Sequence, residues 1–143
     1  MSKERPVIAV IDDEEGVRTA LRRLLQSAGL VVETFDSGSA FVATLIAQRP
    51  DCAVMDLHMP DMTGFEVLAW IAEMRIGVPV VIITGHDTPD AEEIARRGGA
   101  VAYLRKPIND CVLLEAISTA IGHDCETVAD EGAGEKGDQQ APK

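Results

Sequence analysis

Several features that would place a chain outside the ordinary globular classes are scarce in these 143 residues, of which only 3 % are aromatic. No apolar run reaches the roughly 20 residues that a membrane-spanning helix needs. The N-terminal stretch lacks the long apolar segment and the small-residue cleavage site of a secretory signal. The cysteines are odd in number and lack metal-ligand spacing: Cys52, Cys111 and Cys125. We therefore expect a cytoplasmic chain with reduced thiols and no membrane partner.

Basic charge is also scarce, since 13 Lys and Arg stand against 24 Asp and Glu, a formal net charge of -11. Direct binding to nucleic acid or to an anionic membrane needs basic patches, so we expect neither. Acidic residues dominate residues 123–143, which also contain Gly and Pro and almost nothing apolar. This composition predicts a disordered acidic tail over 123–143 and a folded domain over 1–122.

The rest of the chain is an alternation of apolar runs and helical patterns. The predicted strands are residues 7–11, 31–35, 52–56, 78–84 and 101–106. Between and after them, apolar residues recur at helical spacing, and those predicted to face inward from the last helix are Val112, Leu113, Ala116, Ile117 and Ile121. Five strand–helix repeats predict an α/β fold with a five-stranded parallel sheet and helices on both faces. The flavodoxin-like order 2-1-3-4-5 is one common solution of this size, and we expect it here.

Two helix starts have recognisable capping residues. Thr88 is predicted to cap the fourth helix, with Pro89 at its first helical position. Asn109 is predicted to cap the fifth helix in the same way.

Residues with reactive side chains follow four of the five predicted strands. Asp12 and Asp13 follow the first strand, Asp56 ends the third, Thr84 ends the fourth and Lys106 ends the fifth. In parallel sheets of this type, ligands bind beyond the carboxyl ends of the strands. Three carboxylates gathered there would repel one another, and a hard divalent cation such as Mg²⁺ removes that conflict.

These residue types together suit phosphoryl transfer. A lysine can pair with a phosphoryl oxygen, a hydroxyl can donate to it, and an aspartate is an established nucleophile towards phosphorus. Asp56, at the tip of the central strand, is the best placed nucleophile. Each residue alone has an ordinary explanation as a cap, a turn or a solvated strand end. The four together, each at the carboxyl end of its own strand, make those explanations improbable.

The chain resembles the receiver (CheY-like) domain of two-component response regulators over roughly residues 6–121. The resemblance rests on the acidic pair Asp12-Asp13, on "MDLHMPDMTG" around Asp56, on "IITG" with Thr84, and on "YLRKP" with Lys106. Each motif is weak alone, but the four in this order and spacing are specific.

That resemblance implies a role for each residue of the cluster. Asp56 would accept a phosphoryl group from a phosphohistidine on a sensor histidine kinase. Asp12, Asp13, Asp56 and the backbone carbonyl of His58 would hold Mg²⁺, and Lys106 would pair with the phosphoryl group. The protein would catalyse its own phosphorylation and dephosphorylation without being a classified enzyme.

The resemblance also implies a switch. Thr84 would move towards the phosphoryl oxygen, Tyr103 would rotate inward as it moves, and partners would recognise the surface of the fourth helix, fifth strand and fifth helix. His58 and His86, two residues beyond Asp56 and Thr84, would influence loss of the phosphoryl group or would simply be loop histidines. Both interpretations remain open.

Three other functions compete with this one. A haloacid dehalogenase-type enzyme needs a second Asp two residues beyond its nucleophile, but His58 and Glu14 follow Asp56 and Asp12 at that distance. A nucleotide or flavin binder needs a Gly-rich loop where this chain has Asp12-Asp13. An interaction module that acts without phosphorylation is the third alternative, although nothing in the four motifs indicates that the chemistry has been lost.

We expect a stand-alone receiver that is a monomer or a transient homodimer through the predicted switch surface. A histidine phosphotransfer protein is a second candidate partner. A relay protein, a switch that binds a target and a phosphate sink would all use the same site chemistry.

Overall fold

The structure, a computed structural model, describes residues 5–129, with side chains described through residue 122. Five strands and five helices alternate in this part of the chain. They are β1 (Val7–Ile11), α1 (Glu15–Ser27), β2 (Val31–Phe35), α2 (Gly38–Leu45), β3 (Cys52–Asp56), α3 (Gly64–Met74), β4 (Val80–Thr84), α4 (Ala91–Arg97), β5 (Ala100–Arg105) and α5 (Asp110–Ala129).

The strands form one parallel sheet in the order β2-β1-β3-β4-β5, which confirms the predicted fold class. β3 and β4 are buried along their whole length, because helices cover both faces of a parallel sheet. The register pairs Asp56 with Ile83 and Thr84 with Arg105. The carboxyl ends of the central strands therefore lie at one edge of the sheet, as the strand-end residues require.

Two hydrophobic clusters cover the two faces of the sheet. Alternate residues of β1 point to opposite sides, so that Ile11 packs in one cluster and Val10 in the other. The first cluster takes residues from α2, α3 and α4, and the second from α1 and α5. No helix among the described residues is long and apolar enough to cross a membrane.

The start of α4 differs from the prediction. Thr88 and Pro89 precede the helix, which begins at Ala91. The N–H of Ala91 donates to the carbonyl of Thr88 over 3.1 Å, and Asp90 has φ 71° and ψ -6°. These angles define a type II turn with Pro89 at its second position. Pro89 was wrongly assigned as the first helical residue because its fixed φ suits both positions.

The inward face of α5 is also partly different from the prediction. Leu113, Ile117 and Ala120 are buried at helical spacing, whereas Val112 is 46 % exposed. Val112 precedes Leu113 by one residue, about 100° around the helix axis, which turns it away from the sheet. The other capping prediction is confirmed, since Oδ1 of Asn109 accepts from the N–H of Val112 over 3.1 Å.

α5 continues to Ala129, past the predicted domain boundary at residue 122. Most of the predicted acidic tail, residues 130–143, lies outside the described residues. The disorder of that tail therefore stays a prediction.

Candidate functional site

Asp56 ends β3, the central strand, and its side chain is only 8 % exposed. Burial raises the pKa of this carboxyl to about 6, and the charge of Asp12 adds to the rise. Lys106 and a backbone hydrogen bond from His58 act in the opposite direction, but they do not outweigh burial. The ionised form of Asp56 is therefore destabilised in the folded protein, and a further positive charge nearby would reduce that destabilisation.

The predicted acidic cluster is present. One carboxylate oxygen from each of Asp12, Asp13 and Asp56 lies within 4.8 Å of the others, with Asp12 and Asp56 buried and Asp13 exposed. Asp12 is fixed in place, because its Oδ1 accepts from the N–H of Glu14 over 2.9 Å. The guanidinium of Arg18 also donates to the backbone carbonyl of Asp12 over 2.8 Å, joining α1 to this loop.

Lys106 follows β5 directly and reaches back across the edge of the sheet. Its Nζ lies 3.2 Å from Oδ2 of Asp12, 3.8 Å from Oδ1 of Asp56 and 4.0 Å from Oε1 of Glu14. The backbone N–H of Lys106 donates to the carbonyl of Thr84 over 2.8 Å, which continues the pairing of β5 with β4. A single ammonium thus faces several carboxylates, so the cluster retains negative charge.

This donor set fits a hard divalent cation. Mg²⁺ prefers oxygen ligands, and three carboxylates within 4.8 Å of one another can supply them from two neighbouring strands. Burial is the largest cause of the raised pKa of Asp56, and the charges of Asp12 and Asp13 add to it. The role of the His58 carbonyl as a further ligand stays a prediction.

Thr84 ends β4 and is almost completely buried, at 1 % exposure. Its hydroxyl donates to the backbone carbonyl of His86 and accepts from the backbone N–H of the same residue, both over 3.1 Å. The Thr84 hydroxyl therefore points towards the loop that follows β4. Because a hydroxyl has a single proton to donate, donation to a group on Asp56 requires that the bond from Thr84 to the His86 carbonyl break.

His58 and His86 contact each other across the loops that follow β3 and β4. Nε2 of His58 lies 3.0 Å from the backbone carbonyl of His86, and the ring centroids are 5.5 Å apart at an interplanar angle of 82°. A carbonyl only accepts, so Nε2 carries the proton. The pair ties the loop beyond Asp56 to the loop beyond Thr84, and its effect on phosphoryl loss stays a prediction.

Tyr103 lies on β5 with its ring buried, at 4 % exposure. Its hydroxyl donates to Oδ1 of Asp87 over 2.7 Å. Asp87 also accepts from Nε of Arg105 over 2.6 Å. The sequence interpretation included Tyr103 but missed Asp87 and Arg105. Only the two-residue spacing of Tyr103 and Arg105 along one strand could have suggested that they act together.

Two features that support the loop after Asp56 were also missed. Thr63 and Glu66 form a reciprocal capping box at the start of α3, and Thr followed three residues later by Glu is its sequence signature. Gly64 lies against β3 so closely that a Cβ would come within 3.0 Å of Cα of Leu57 and 3.1 Å of the Asp56 carbonyl. The loop can therefore fold back tightly beside Asp56.

The chain matches the family model described as response regulator receiver domain over residues 8–118. It is similar to the transcriptional regulatory protein FixJ of Rhizobium meliloti, with 41 % identity over 117 residues, 81 % of this chain and 57 % of that protein. It is also similar to the DNA-binding transcriptional regulator NtrC of Salmonella typhimurium, with 35 % identity over 84 % of this chain and 26 % of that protein. The chain thus spans between about a quarter and about half the length of these relatives.

Solved structures give the same result. The FixJ-N crystal structure matches with a TM-score of 0.78 and 38 % identity, covering 85 % of this chain and 97 % of that one. A CheY-like receiver domain protein from Methanospirillum hungatei JF-1 matches with a TM-score of 0.82 and 25 % identity, covering 87 % and 99 %.

Proposed function

Because the chain belongs to the family of response regulator receiver domains, we propose that Asp56 accepts a phosphoryl group from a sensor histidine kinase. The observation that carries this proposal is the position of Asp56: buried at the tip of the central strand, beside Asp12 and 3.8 Å from the ammonium of Lys106. With a pKa of about 6, roughly nine in ten of these carboxyls are ionised at pH 7 and can act as nucleophiles.

The transfer step balances without an oxidant or a reductant. A carboxylate oxygen of Asp56 attacks phosphorus, and the phosphorus–nitrogen bond of the donor phosphohistidine breaks. The imidazole leaves with the electron pair and takes a proton from solvent, and an acyl phosphate remains on Asp56. In dephosphorylation, water attacks phosphorus and the carboxylate leaves. The protein is in this sense a catalyst of its own phosphorylation state.

Asp12, Asp13, Asp56 and the backbone carbonyl of His58 would hold Mg²⁺. When bound, this ion would neutralise the carboxylates and the oxygens of the incoming phosphoryl group. The role of Lys106 is to hold a phosphoryl oxygen with the ammonium that now lies between Asp12 and Asp56. Lys106 therefore exchanges one anionic partner for another during the reaction.

We infer that the change is transmitted through Thr84. Its hydroxyl would leave the backbone of His86 and donate to a phosphoryl oxygen, which would pull on the loop between β4 and α4. The surface of α4, β5 and α5, to which Tyr103 belongs, would then be the one that partners recognise. A homodimer through this surface and a histidine phosphotransfer protein are further candidate partners.

The receiver domain is not proposed to contact DNA. The name of NtrC describes a DNA-binding regulator, but this chain matches about a quarter of that protein. A net charge of -11 repels phosphate backbones.

Intact mass measurement tests the acceptor. The protein is incubated with Mg²⁺ and acetyl phosphate, and we expect the wild type to gain the mass of one phosphoryl group while Asp56→Asn gains none. Asp61→Asn, in the loop five residues further on, is the matched control and should be phosphorylated as the wild type is. An unchanged wild-type mass, or a gain that survives Asp56→Asn, would refute the assignment.

A second variant tests the role of Lys106. Lys106→Ala should remain folded by circular dichroism and bind Mg²⁺ by calorimetry, yet fail to transmit phosphorylation to the loop between β4 and α4. The readout is the amide spectrum of that loop with and without acetyl phosphate. Global unfolding would instead make Lys106 a structural residue.

A further inference from the structure

A second polar cluster involves the loop that follows Thr84 and shares no residue with the acidic site. It consists of Asp87 in the loop, Glu92 on α4, and Tyr103 and Arg105 on β5, and we call these four residues the latch. Asp87 accepts from the Tyr103 hydroxyl over 2.7 Å and from Nε of Arg105 over 2.6 Å. Nη2 of Arg105 donates to Oε1 of Glu92 over 3.2 Å.

Asp87 occupies the centre of a loop whose two ends are already constrained. On one side, Thr84 and His86 form their reciprocal hydrogen bonds. On the other side, the type II turn at Pro89 leads into α4. Both oxygens of the Asp87 carboxylate are bonded to β5, so displacing the middle of the loop breaks bonds to Tyr103 and Arg105 together.

Arg105 joins three elements in a way that a simple positive charge could not. It bonds to Asp87 with one nitrogen and to Glu92 with another, and its guanidinium carbon lies 5.3 Å from the centroid of the Tyr103 ring. The planar, forked guanidinium allows all three contacts at once, whereas an ammonium offers a single centre.

The protonation behaviour agrees with this geometry. Burial raises the pKa of Tyr103 to about 12, and the hydrogen bond to Asp87 adds to the rise. The hydrogen bond from Arg105 keeps the pKa of Asp87 below its usual value. The contacts therefore favour a neutral phenol and an ionised carboxylate at the centre of the latch.

We propose that Asp87 is a positioning residue that holds the ring of Tyr103 inward before any phosphoryl group is present, and that Arg105 keeps Asp87 in place. The resting conformation of the loop is then determined by an ion network on the surface of this chain. The latch itself does not depend on the proposed function, whereas its consequence for signalling rests on that function. Phosphorylation would act on a ring that is already inward, so the latch determines how far the unphosphorylated protein resembles the active one.

The chain contains one tyrosine, so any tyrosine-specific reagent reports on Tyr103 alone. The test is nitration by tetranitromethane, followed through the absorbance of nitrophenolate. Oxidation of the cysteines by the same reagent does not produce this absorbance. The buried ring reacts only in outward or locally opened molecules. We expect Asp87→Ala and Arg105→Gln each to raise the nitration rate roughly three- to tenfold at neutral pH, since charged hydrogen bonds at a partly exposed site are lost.

Glu93→Gln is the matched control, because Glu93 lies beside Glu92 on α4 but pairs with Arg97 in an exposed contact. It should nitrate at the wild-type rate. The nitration rate of Arg105→Lys should fall between those of the wild type and Arg105→Gln, since lysine keeps the positive charge but lacks the forked guanidinium. A merely structural role for Arg105 would not separate the two substitutions in this way.

Equal nitration rates in the wild type, Asp87→Ala and Arg105→Gln would overturn the proposal. Circular dichroism and the emission of Trp70 monitor folding; if Asp87→Ala is unfolded, Arg105→Gln alone decides, because its side chain is 54 % exposed. Ring-labelled tyrosine gives one further readout, the loss of nuclear Overhauser contacts between the ring and buried methyl groups in the loosened variants.

A phosphorylated arm separates this proposal from the proposed function. With acetyl phosphate and Mg²⁺, and phosphorylation verified by intact mass, Asp87→Ala should return towards the wild-type nitration rate while the wild type changes little. A phosphorylated Asp87→Ala that keeps its raised rate would refute the signalling consequence. If no chain is phosphorylated, the proposed function fails, and the comparison of unphosphorylated variants still decides whether the latch exists.

Discussion

The acidic site and the latch have no residue in common, and they differ in how their charges are balanced. At the site, three carboxylates share one ammonium, and two of the three are buried. In the latch, the carboxylates of Asp87 and Glu92 face the guanidinium groups of Arg105 and of the neighbouring Arg96. Each of these four side chains is at least one third exposed. The consequences for the pKa values are opposite: that of Asp56 is raised, whereas those of Asp87 and Glu92 are lowered.

This difference distinguishes a site that needs a ligand from one that is complete. The buried cluster has more negative charge than the chain neutralises, so a cation or a rearrangement of Lys106 lowers its free energy. The exposed cluster is already balanced, so it can fix a conformation without binding anything. Four predictions test the contrast, beginning with the largest effect.

Asp56→Asn should raise the free energy of unfolding at pH 7 without Mg²⁺ by about 3 kcal/mol. This is the free-energy equivalent of the rise in the pKa of Asp56 from 3.8 to about 6. The folded pKa is the higher one, so between about pH 4 and pH 6 the unfolded carboxyl loses its proton first. Wild-type stability should therefore fall as pH rises through this window, and the fall should disappear in the variant. Urea unfolding in EDTA at a series of pH values measures both, and an unchanged slope in Asp56→Asn would contradict the prediction.

Mg²⁺ should stabilise the wild type by about 2.7 kcal/mol at a concentration one hundred times its dissociation constant. Asp87→Ala should gain as much, because the latch holds no ligand, whereas Asp56→Asn should gain less. Thermal unfolding with increasing MgCl₂ gives the comparison. A smaller gain in Asp87→Ala than in the wild type would show that the two regions are not separate.

Lys106→Met should lower the free energy of unfolding without Mg²⁺ by about 2 kcal/mol, because Asp12 is left buried beside Asp56 with no ammonium. The pKa of Asp56 should rise further, since Lys106 now lowers it. Urea unfolding and carboxyl-carbon NMR titration measure the two effects. Arg97→Met removes an exposed charge that is 77 % accessible and should change neither.

Arg105→Gln should give the smallest change in stability, because exposed ion pairs contribute little. The pKa values of Asp87 and Glu92 are lowered, so the contribution of the latch is present above about pH 4 and is lost as pH falls through the folded pKa values. High salt should reduce the difference between Arg105→Gln and the wild type, because charge interactions extend only roughly 3 Å at 1 M. A difference that grows with salt or with acid would exclude an electrostatic origin.

Much of the acidic site could be predicted, because the hydrophobic periodicity of the strands and the topology of a parallel sheet leave few alternative positions for its residues. Once the alternation indicates parallel strands, Asp12, Asp56 and Lys106 must lie at one edge of the sheet. Thr84 was placed for the same reason, but the direction of its hydroxyl, towards His86, was not predictable. Rotamer choice depends on neighbours that the sequence does not order in space.

Local ambiguity explains the errors. Pro89 suits both the first turn of a helix and the second position of a type II turn, and the positive φ of Asp90 decided for the turn. Val112 lies one residue from Leu113, and an apolar pattern does not distinguish neighbours at the edge of a helical face.

The sequence by itself determined a parallel sheet with Asp12, Asp13, Asp56 and Lys106 gathered at its carboxyl edge, because this follows from strand periodicity and from the right-handed crossovers of parallel strands. The strand order 2-1-3-4-5 was expected as one common solution for a sheet of this size. Only the tertiary structure decided the latch. Asp87 meets Tyr103 and Arg105 across 16 and 18 residues of chain. That meeting depends on the path of one loop, which no periodic pattern specifies.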